Sequence, residues 1–466
     1  MTSSQRISPL FTDLYELTMA AGYFEHQILA NATFSLFIRK YPPHRSFFVA
    51  AGLEDALAWL ESFHLSDKDT EYLKKTGLFS SEFIAFLKEL RFSGQVYAMP
   101  EGTIFFKNEP LLEVTANLIE VQILETFLLN TIGFQTIIAT KAARCIHAAA
   151  GRPLIDFSLR RTQGSDAGIK VARASYMTGF AGTSNLLAGQ IYDIPVSGTM
   201  AHSFVTAFDS ELEAFTAFSE TFPKNSIFLI DTFDTVKGAE IAVKAAAEMK
   251  KKGKTLIGVR LDSGDMVGLS RKVRKILDDA GLFDVKIFAS SGFDEFKIAD
   301  VISKGAKIDA FGVGTKMGVS EDAPYMDIVY KMVHFKDRNI RKLSPGKITL
   351  AGRKQVFRIS DKDGRYIEDY LGLRDEVIDK GEPLLEKVME NGKSIRKSPS
   401  LQAVRDRFKK NFSNLDEKYK SIQGGIVYPV RYSNRLMDAQ QLGDGEGEKG
   451  GSGEGERREK GEGKSG

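Results

Sequence analysis

TLIGVRLDSGD (255–265) is an apolar run that stops at a cluster of Arg, Asp, Ser and Gly. The same change recurs on either side of it. Upstream stand LIDFSLRRTQG (154–164), IYDIPVSGTMAHS (191–203) and SIFLIDTFDT (226–235); downstream stand KIFASSGFD (286–294) and IDAFGVGTKMG (308–318). Buried strands that end in small and charged residues are what an α/β barrel shows at its C-terminal rim, where such folds place their chemistry. Helical spacing separates the runs. Asp234 or Thr235 caps a predicted helix through Val236, Ile241 and Val243 that stops near Gly253. Leu269, Val273, Ile276 and Leu277 stripe a second, ending near Gly281, and Asp294 opens a third, ending near Gly305. Short links and a strand-then-helix rhythm predict parallel strands. An open doubly wound sheet is the alternative; against it, no G-x-G-x-x-G turn opens the first unit.

Residues 1–120 mix helical and strand signals. LEDALAWLESF (53–63) and SSEFIAFLKEL (80–90) have helical spacing, with Ser80 or Ser81 capping the second. GQVYAMPEGTIFFKNEPLLEVTANL (94–118) is hairpin-like. The apolar stretch from Val121 to Ala143 is interrupted by Gln122, Glu125, Asn130, Gln135 and Lys141, so it reads as a buried or amphipathic helix rather than a membrane span. After Tyr325, YMDIVYKMVHF and KQVFRIS read as antiparallel strands joined by a basic loop (336–354), and residues 400–420 as helical. From about Gly443 the chain is Gly, Glu, Lys and Arg with a few Ser and Asp, which predicts a disordered tail. The expected organisation is an N-terminal α+β segment at 1–145, an α/β barrel at 146–330, a C-terminal segment at 331–442 that completes the barrel and the N-terminal domain, and the tail at 443–466.

The 466 residues suffice for two or three domains. A net charge of +3 with both signs interspersed gives no support for a nucleic-acid or membrane partner. Cys145 is the only cysteine, which excludes an intrachain disulfide and a Cys-based metal site. The first residues lack an apolar core of signal-peptide length, so a cytoplasmic enzyme is the expectation.

The strand ends supply candidate chemistry. The guanidinium of Arg260 is suited to fork onto a phosphate or carboxylate, and Asp262, beside Ser263 and Gly264, to hold ribose hydroxyls or Mg²⁺. A strand-end ion pair with a helix cap is the bland alternative. Ser290-Ser291-Gly292 and Gly312-Val313-Gly314-Thr315 leave backbone N–H groups free for an anion, or are tight turns that need positive φ. His202, in Gly198-Thr199-Met200-Ala201-His202-Ser203, is a candidate general base or nucleophile toward phosphate, although a lone His is more often structural. Phe157 beside Arg160 and Arg161 suits a flat ring bearing an acid group, or is a core Phe with surface arginines. Asp231 and Asp234 read as caps. These residues predict a phosphate-bearing substrate at a barrel rim. A sugar-phosphate lyase or isomerase using Lys316 or His202 as base, and a non-catalytic phosphate-ligand sensor, are the competing classes.

Taken together, the segments resemble the nicotinate phosphoribosyltransferase family. The likeness runs through TDLYELTMAAGYF (12–24), LETFLLNTIGFQTIIATKAAR (124–144), FSLRRTQGSDAG, GTSN (182–185), GTMAHSF, IDTFDT, VRLDSGD, FGVGTKMG and KLSPGKITLAGRKQVFR (342–358). The resemblance implies a type II phosphoribosyltransferase fold, an irregular α/β barrel beside an α+β domain built from the N- and C-terminal segments. It implies a homodimer with composite sites. The implied reaction joins nicotinate to 5-phosphoribosyl 1-pyrophosphate (PRPP), giving nicotinate mononucleotide and pyrophosphate, with ATP as co-substrate and Mg²⁺. It makes His202 the histidine that ATP phosphorylates. Phe157 and, from the second subunit, Tyr15 stack the pyridine. Arg260 and Asp262 contact base, ribose and pyrophosphate, and Gly292, Gly312 and Gly314 the 5′-phosphate. Thr199, Ser203, Ser263, Gly264 and Thr315 fall among the substrate contacts, and Arg39 and Lys342 reach phosphate across the dimer. Relatives that use nicotinamide carry Asp at the position of Ser184. A carboxylate substrate would be repelled there, so Ser184 with Arg160 or Arg161 points to nicotinate.

Overall fold

A computed structural model describes residues 7–341 and 349–441. The predicted tail therefore lies outside the described residues. Five of the six strand ends read from the sequence fall in one six-stranded parallel sheet, with Gly182–Thr183 in place of the sixth, in the order Gly182–Thr183, Leu154–Asp156, Ala310–Val313, Lys286–Ala289, Gly258–Leu261 and Ile227–Leu229. This is the order of an α/β barrel opened at one seam: of these six strands, the last in chain order, Ala310–Val313, pairs with the first, Leu154–Asp156. No pairing among the described residues joins the two edges, so the expected closed barrel is not detected, and what stands is a mixed α/β fold with a parallel sheet consistent with that barrel type.

Polar side chains start the intervening helices where the sequence predicts. Asp234 accepts the Lys237 N–H at the head of Thr235–Lys251, Asp265 caps Met266–Asp279, and Asp294 accepts the Lys297 N–H at the head of Glu295–Ser303. Each satisfies a donor that the first helical turn leaves open. Gly253, Gly281 and Gly305 follow the helix ends with positive φ.

IYDIPVS departs from expectation. Ile191 and Tyr192 end the helix Leu186–Tyr192, which Asn185 caps, and Asp193 terminates it in the left-handed region. Pro195 has no N–H to give a ladder, and only an isolated parallel bridge, Thr183 to Val196, remains of the expected strand.

A seven-stranded antiparallel sheet lies beside the parallel one. It takes Asn31–Ile38, Gln95–Ala98 and Pro110–Asn117 from the first part of the chain, and Ile328–Phe335, Arg338–Asn339, Glu386–Glu390 and Lys393–Ser394 from the last. YMDIVYKMVHF and KQVFRIS are both strands with antiparallel partners, but in different sheets. Lys354–Ser360 belongs to a four-stranded sheet with Tyr366–Leu373, Gly381–Pro383 and Val430–Tyr432. The helix Glu125–Ala148 joins the two halves. Phe127, Leu128 and Ile132 pack in the core under the antiparallel sheet, whereas Ile138, Ala142 and Cys145 pack in the core of the parallel one. No helix among the described residues is long and apolar enough to cross a membrane.

Candidate active site

Because the six strands are parallel, their C-terminal ends share one edge of the sheet, and the residues after them form a connected constellation. Asp262 is its joint. Its backbone N–H donates to Asp231 Oδ2 at 2.8 Å, and the Ser290 hydroxyl donates to its Oδ1. The ends of three adjacent strands are thereby tied together. The Ser263 hydroxyl donates to the same Asp231 oxygen at 2.7 Å, while Asp231 Oδ1 is buried with no hydrogen-bond partner.

His202 heads the short helix His202–Thr206 rather than ending a strand. Its Nδ1 lies 3.1 Å from the Thr232 hydroxyl and its Nε2 4.0 Å from Asp262 Oδ2, with the side chain 45% exposed. One ring nitrogen is thus oriented by a neighbour and the other left open. Arg260 donates to the Thr199 hydroxyl, and its Nε is buried without a partner. Burial pulls this guanidinium below its ordinary range; Asp262 and Asp231 oppose that, and Arg160 reinforces it. A cation whose burial outweighs two nearby carboxylates is a place for further negative charge.

Phe157 donates its backbone N–H to the Val313 carbonyl at 2.8 Å. A Cβ on Gly312 would stand 2.5 Å from the Phe157 ring carbons. Gly312 is therefore required by space, and neither it nor Gly314 has positive φ. The turn expectation holds instead at Gly292, with φ +65°, and at its neighbour Ser291, with φ +90°. For a residue with a Cβ this is a costly conformation, of a kind that clusters at ligand sites. Lys297 Nζ donates to the Ser291 carbonyl at 2.7 Å.

Asp156, fully buried, ties DFSLRR to GTSN. Its Oδ1 accepts the Ser158 N–H at 2.9 Å, and its Oδ2 accepts the Thr183 hydroxyl at 2.7 Å. Burial nonetheless raises its pKa, against those bonds. The Ser184 N–H donates to the Asp156 carbonyl at 2.9 Å.

Arg161, Ser184, Ser203, Gly264 and Thr315 are exposed. Tyr15 and Arg39 make no hydrogen bond to the rim within one chain: Tyr15 is exposed on the helix Leu14–Glu25, where burial and then Glu125 raise its pKa, and Arg39 lies over the Phe37 ring. Lys342 lies outside the described residues. Lys316 pairs with Asp294 at 3.2 Å and Glu321 at 3.5 Å. Burial lowers its pKa, but the Asp294 contact outweighs this and raises it, so the amine is poorly suited to a Schiff base. Asp156, Asp231 and Thr232 join the constellation without having been singled out for it. The signal for the last two was IDTFDT itself, which follows the strand Ile227–Leu229.

Three family models match in chain order: the nicotinate phosphoribosyltransferase (NAPRTase) N-terminal domain over residues 10–133, the nicotinate phosphoribosyltransferase family over 153–359, and the nicotinate phosphoribosyltransferase C-terminal domain over 380–440. Nicotinate phosphoribosyltransferase pncB2 of Mycobacterium tuberculosis is 46% identical over 439 residues, covering 94% of each chain. The nicotinate phosphoribosyltransferase of Bacillus subtilis is 38% identical over 455 residues, covering 91% of this chain and 92% of its own. The crystal structure of human nicotinic acid phosphoribosyltransferase superposes with a TM-score of 0.83 at 29% identity, over 92% of this chain and 99% of that one. A nicotinate-nucleotide pyrophosphorylase from Pyrococcus furiosus gives 0.73 at 27% identity, over 89% and 97%.

Proposed function

The chain belongs to the nicotinate phosphoribosyltransferase family, and on that premise we propose that it joins nicotinate to PRPP at the rim of the parallel sheet, coupled to ATP through a phosphorylated His202. It is an enzyme of NAD salvage with nicotinate phosphoribosyltransferase activity. The nicotinate ring nitrogen is unprotonated at neutral pH, so its lone pair forms the new bond to C1′ as the bond from C1′ to pyrophosphate breaks. No proton has to move. The ribose passes through an oxocarbenium-like state, and catalysis rests on holding ring and C1′ in line while the leaving group is neutralised.

The observation that supports this reading is the joint at Asp262, which gathers His202, Asp231 and Ser290 beside the buried cation of Arg260. Arg260 faces pyrophosphate, Asp262 the ribose, and Phe157 one face of the pyridine, with Arg160 or Arg161 at its carboxylate. Thr199, Ser203, Ser263 and Gly264 line this end, while Gly292, Gly312, Gly314 and Thr315 offer backbone N–H groups to the 5′-phosphate. Mg²⁺ fits hard oxygen donors, namely the unpartnered Asp231 Oδ1 and the Asp262 carboxylate. No group of three or more His, Cys, Asp or Glu suited to a metal stands together among the described residues, so its remaining positions would fall to substrate phosphates and water. When bound, the ion supplies charge neutralisation for the departing pyrophosphate.

We also assign a homodimer. Phe11, Leu14, Tyr15 and Met19 are exposed on and before the first helix, and Leu186, Leu187, Ile191 and Val196 beside the rim. Two such apolar faces suit a second copy, which would bring Tyr15 to the free face of the ring and Arg39 and the Lys342 segment to phosphate. The test is isotopic. Incubation with γ-labelled ATP should label the wild-type protein, and His202→Ala should lose both the label and ATP stimulation while keeping slow ATP-independent turnover. A labelled His202→Ala variant overturns the assignment. Ser184→Asp should raise the nicotinate KM about tenfold through charge repulsion; an unchanged KM means that Ser184 does not face the carboxylate.

A further inference from the structure

Lys141 interrupts the apolar face of the helix Glu125–Ala148, and it is 1% exposed. Its Nζ lies 2.6 Å from Glu295 Oε2 and 2.7 Å from Asp322 Oδ1. Glu295 is the first residue of the helix that follows Ser290-Ser291-Gly292, and Asp322 follows Gly312-Val313-Gly314 and its short helix Thr315–Gly318. One buried ammonium therefore clamps the segments behind both glycine turns to a single helix. The clamp is braced on either side. Arg144 Nε holds Glu295 Oε1 at 2.8 Å, and Arg45 Nη1 holds Asp322 Oδ2 at 2.6 Å and is itself buried. Nearer the rim, Lys316 to Asp294 joins the same two loops again.

We infer that Lys141 is a positioning residue for the 5′-phosphate subsite: it touches no substrate, and it sets the spacing of the two turns whose N–H groups would share the phosphate. The inference rests on the reading that those turns bind the phosphate. A compact charge on a long flexible stem reaches two carboxylates at once. In a buried setting such a bridge is stiff, because losing the cation leaves Glu295 and Asp322 sharing the space without their common partner. The pyridine end touches the clamped segments through the Phe157 N–H on the Val313 carbonyl, but it has anchors of its own where Asp156 holds Ser158 and Thr183.

The experiment compares wild type with Lys141→Met, following both KM values and inhibition by ribose 5-phosphate and by ribose. Wild type should bind ribose 5-phosphate far better than ribose. Lys141→Met should raise the PRPP KM about tenfold or more, the order of loss that small misplacements of a bound group cause, and lose most of the preference for ribose 5-phosphate. Its nicotinate KM should stay within about threefold of wild type, a split that a general loss of structure does not produce. If Lys141→Met does not fold, Asp322→Asn, at the more accessible end of the bridge, carries the same expectations. Equal inhibition of wild type by the two sugars removes the phosphate reading itself, and the inference with it. A wild type that discriminates and a variant that discriminates equally well, with unchanged PRPP KM, overturns the inference alone. Parallel rises in both KM values show a merely structural role and also overturn it.

Discussion

Asp231 Oδ2 accepts two hydrogen bonds from the turn that follows the neighbouring strand, and those bonds fix where Asp262 points. An ionised acceptor makes them stronger than neutral ones. Asp231→Asn keeps the volume but loses the charge, so turnover should fall about a hundredfold through misplacement of Asp262, with about 1–2 kcal/mol of stability lost. Steady-state kinetics and thermal denaturation check the two effects separately, and unchanged turnover in a folded variant removes Asp231 from the site. The two arginines also separate at this scale. Arg160 is felt electrostatically at Arg260, which places it beside the substrate end of the rim. Arg160→Ala should therefore raise the nicotinate KM more than Arg161→Ala; the reverse order reassigns the carboxylate. The sequence made Arg260 and Asp262 legible because they stand where a buried strand stops, whereas His202 was legible by its residue type and its small neighbours although it heads a helix. Asp231 stood in the same kind of place, but its partners lie in the turn after the neighbouring strand, 31 and 32 residues away, and no spacing rule discloses a contact of that kind.

Among the elements, the helices were the most legible, because Asp234 and Asp294 are polar caps with one dominant use and Gly253, Gly281 and Gly305 are stops. Strand ends misled where sterics alone decided. Ile191 and Tyr192 look like strand residues, yet Asn185 caps the helix that contains them. Gly312 reads as a turn residue, yet its backbone is ordinary and the ring of Phe157 occupies the space of its missing Cβ. Gly312→Ala should thus push the ring away. Overpacking of this kind costs about 1–3 kcal/mol, and the nicotinate KM should rise about tenfold by loss of alignment. Isothermal titration with nicotinate checks it, and wild-type affinity in the variant shows that Phe157 does not stack the pyridine. Gly292→Ala acts through backbone conformation instead, since its φ is positive and no atom crowds it.

Across the whole molecule, the seven-stranded antiparallel sheet is built from both ends of the chain, and buried charges seal its contact with the four-stranded sheet. Glu109, just before the strand Pro110–Asn117, is fully buried beside Asp369 and Arg358 of the four-stranded sheet. Burial first, and repulsion from Asp369 second, hold its carboxyl well above the usual range, with Arg358 opposing. From the ordinary Glu value of about 4.3 upward, the folded protein keeps a proton that the unfolded chain has released. Stability from this group therefore falls as pH rises through that window. Glu109→Gln removes the titration, so the difference in melting temperature between variant and wild type should grow in the variant's favour from pH 5 to pH 8; a constant difference contradicts it. Pairings such as Glu109 with Asp369, or Lys141 with Glu295 and Asp322, are long-range and leave no periodic trace, which is why these contacts were not legible although the alternation of strands and helices was. The most direct measurement of the central claim is a side-by-side assay of nicotinate and nicotinamide with PRPP and Mg²⁺, with and without ATP. The account predicts nicotinate mononucleotide and pyrophosphate from the acid, faster with ATP, and little product from the amide. No product from nicotinate with verified folded protein, or a preference for the amide, would contradict it.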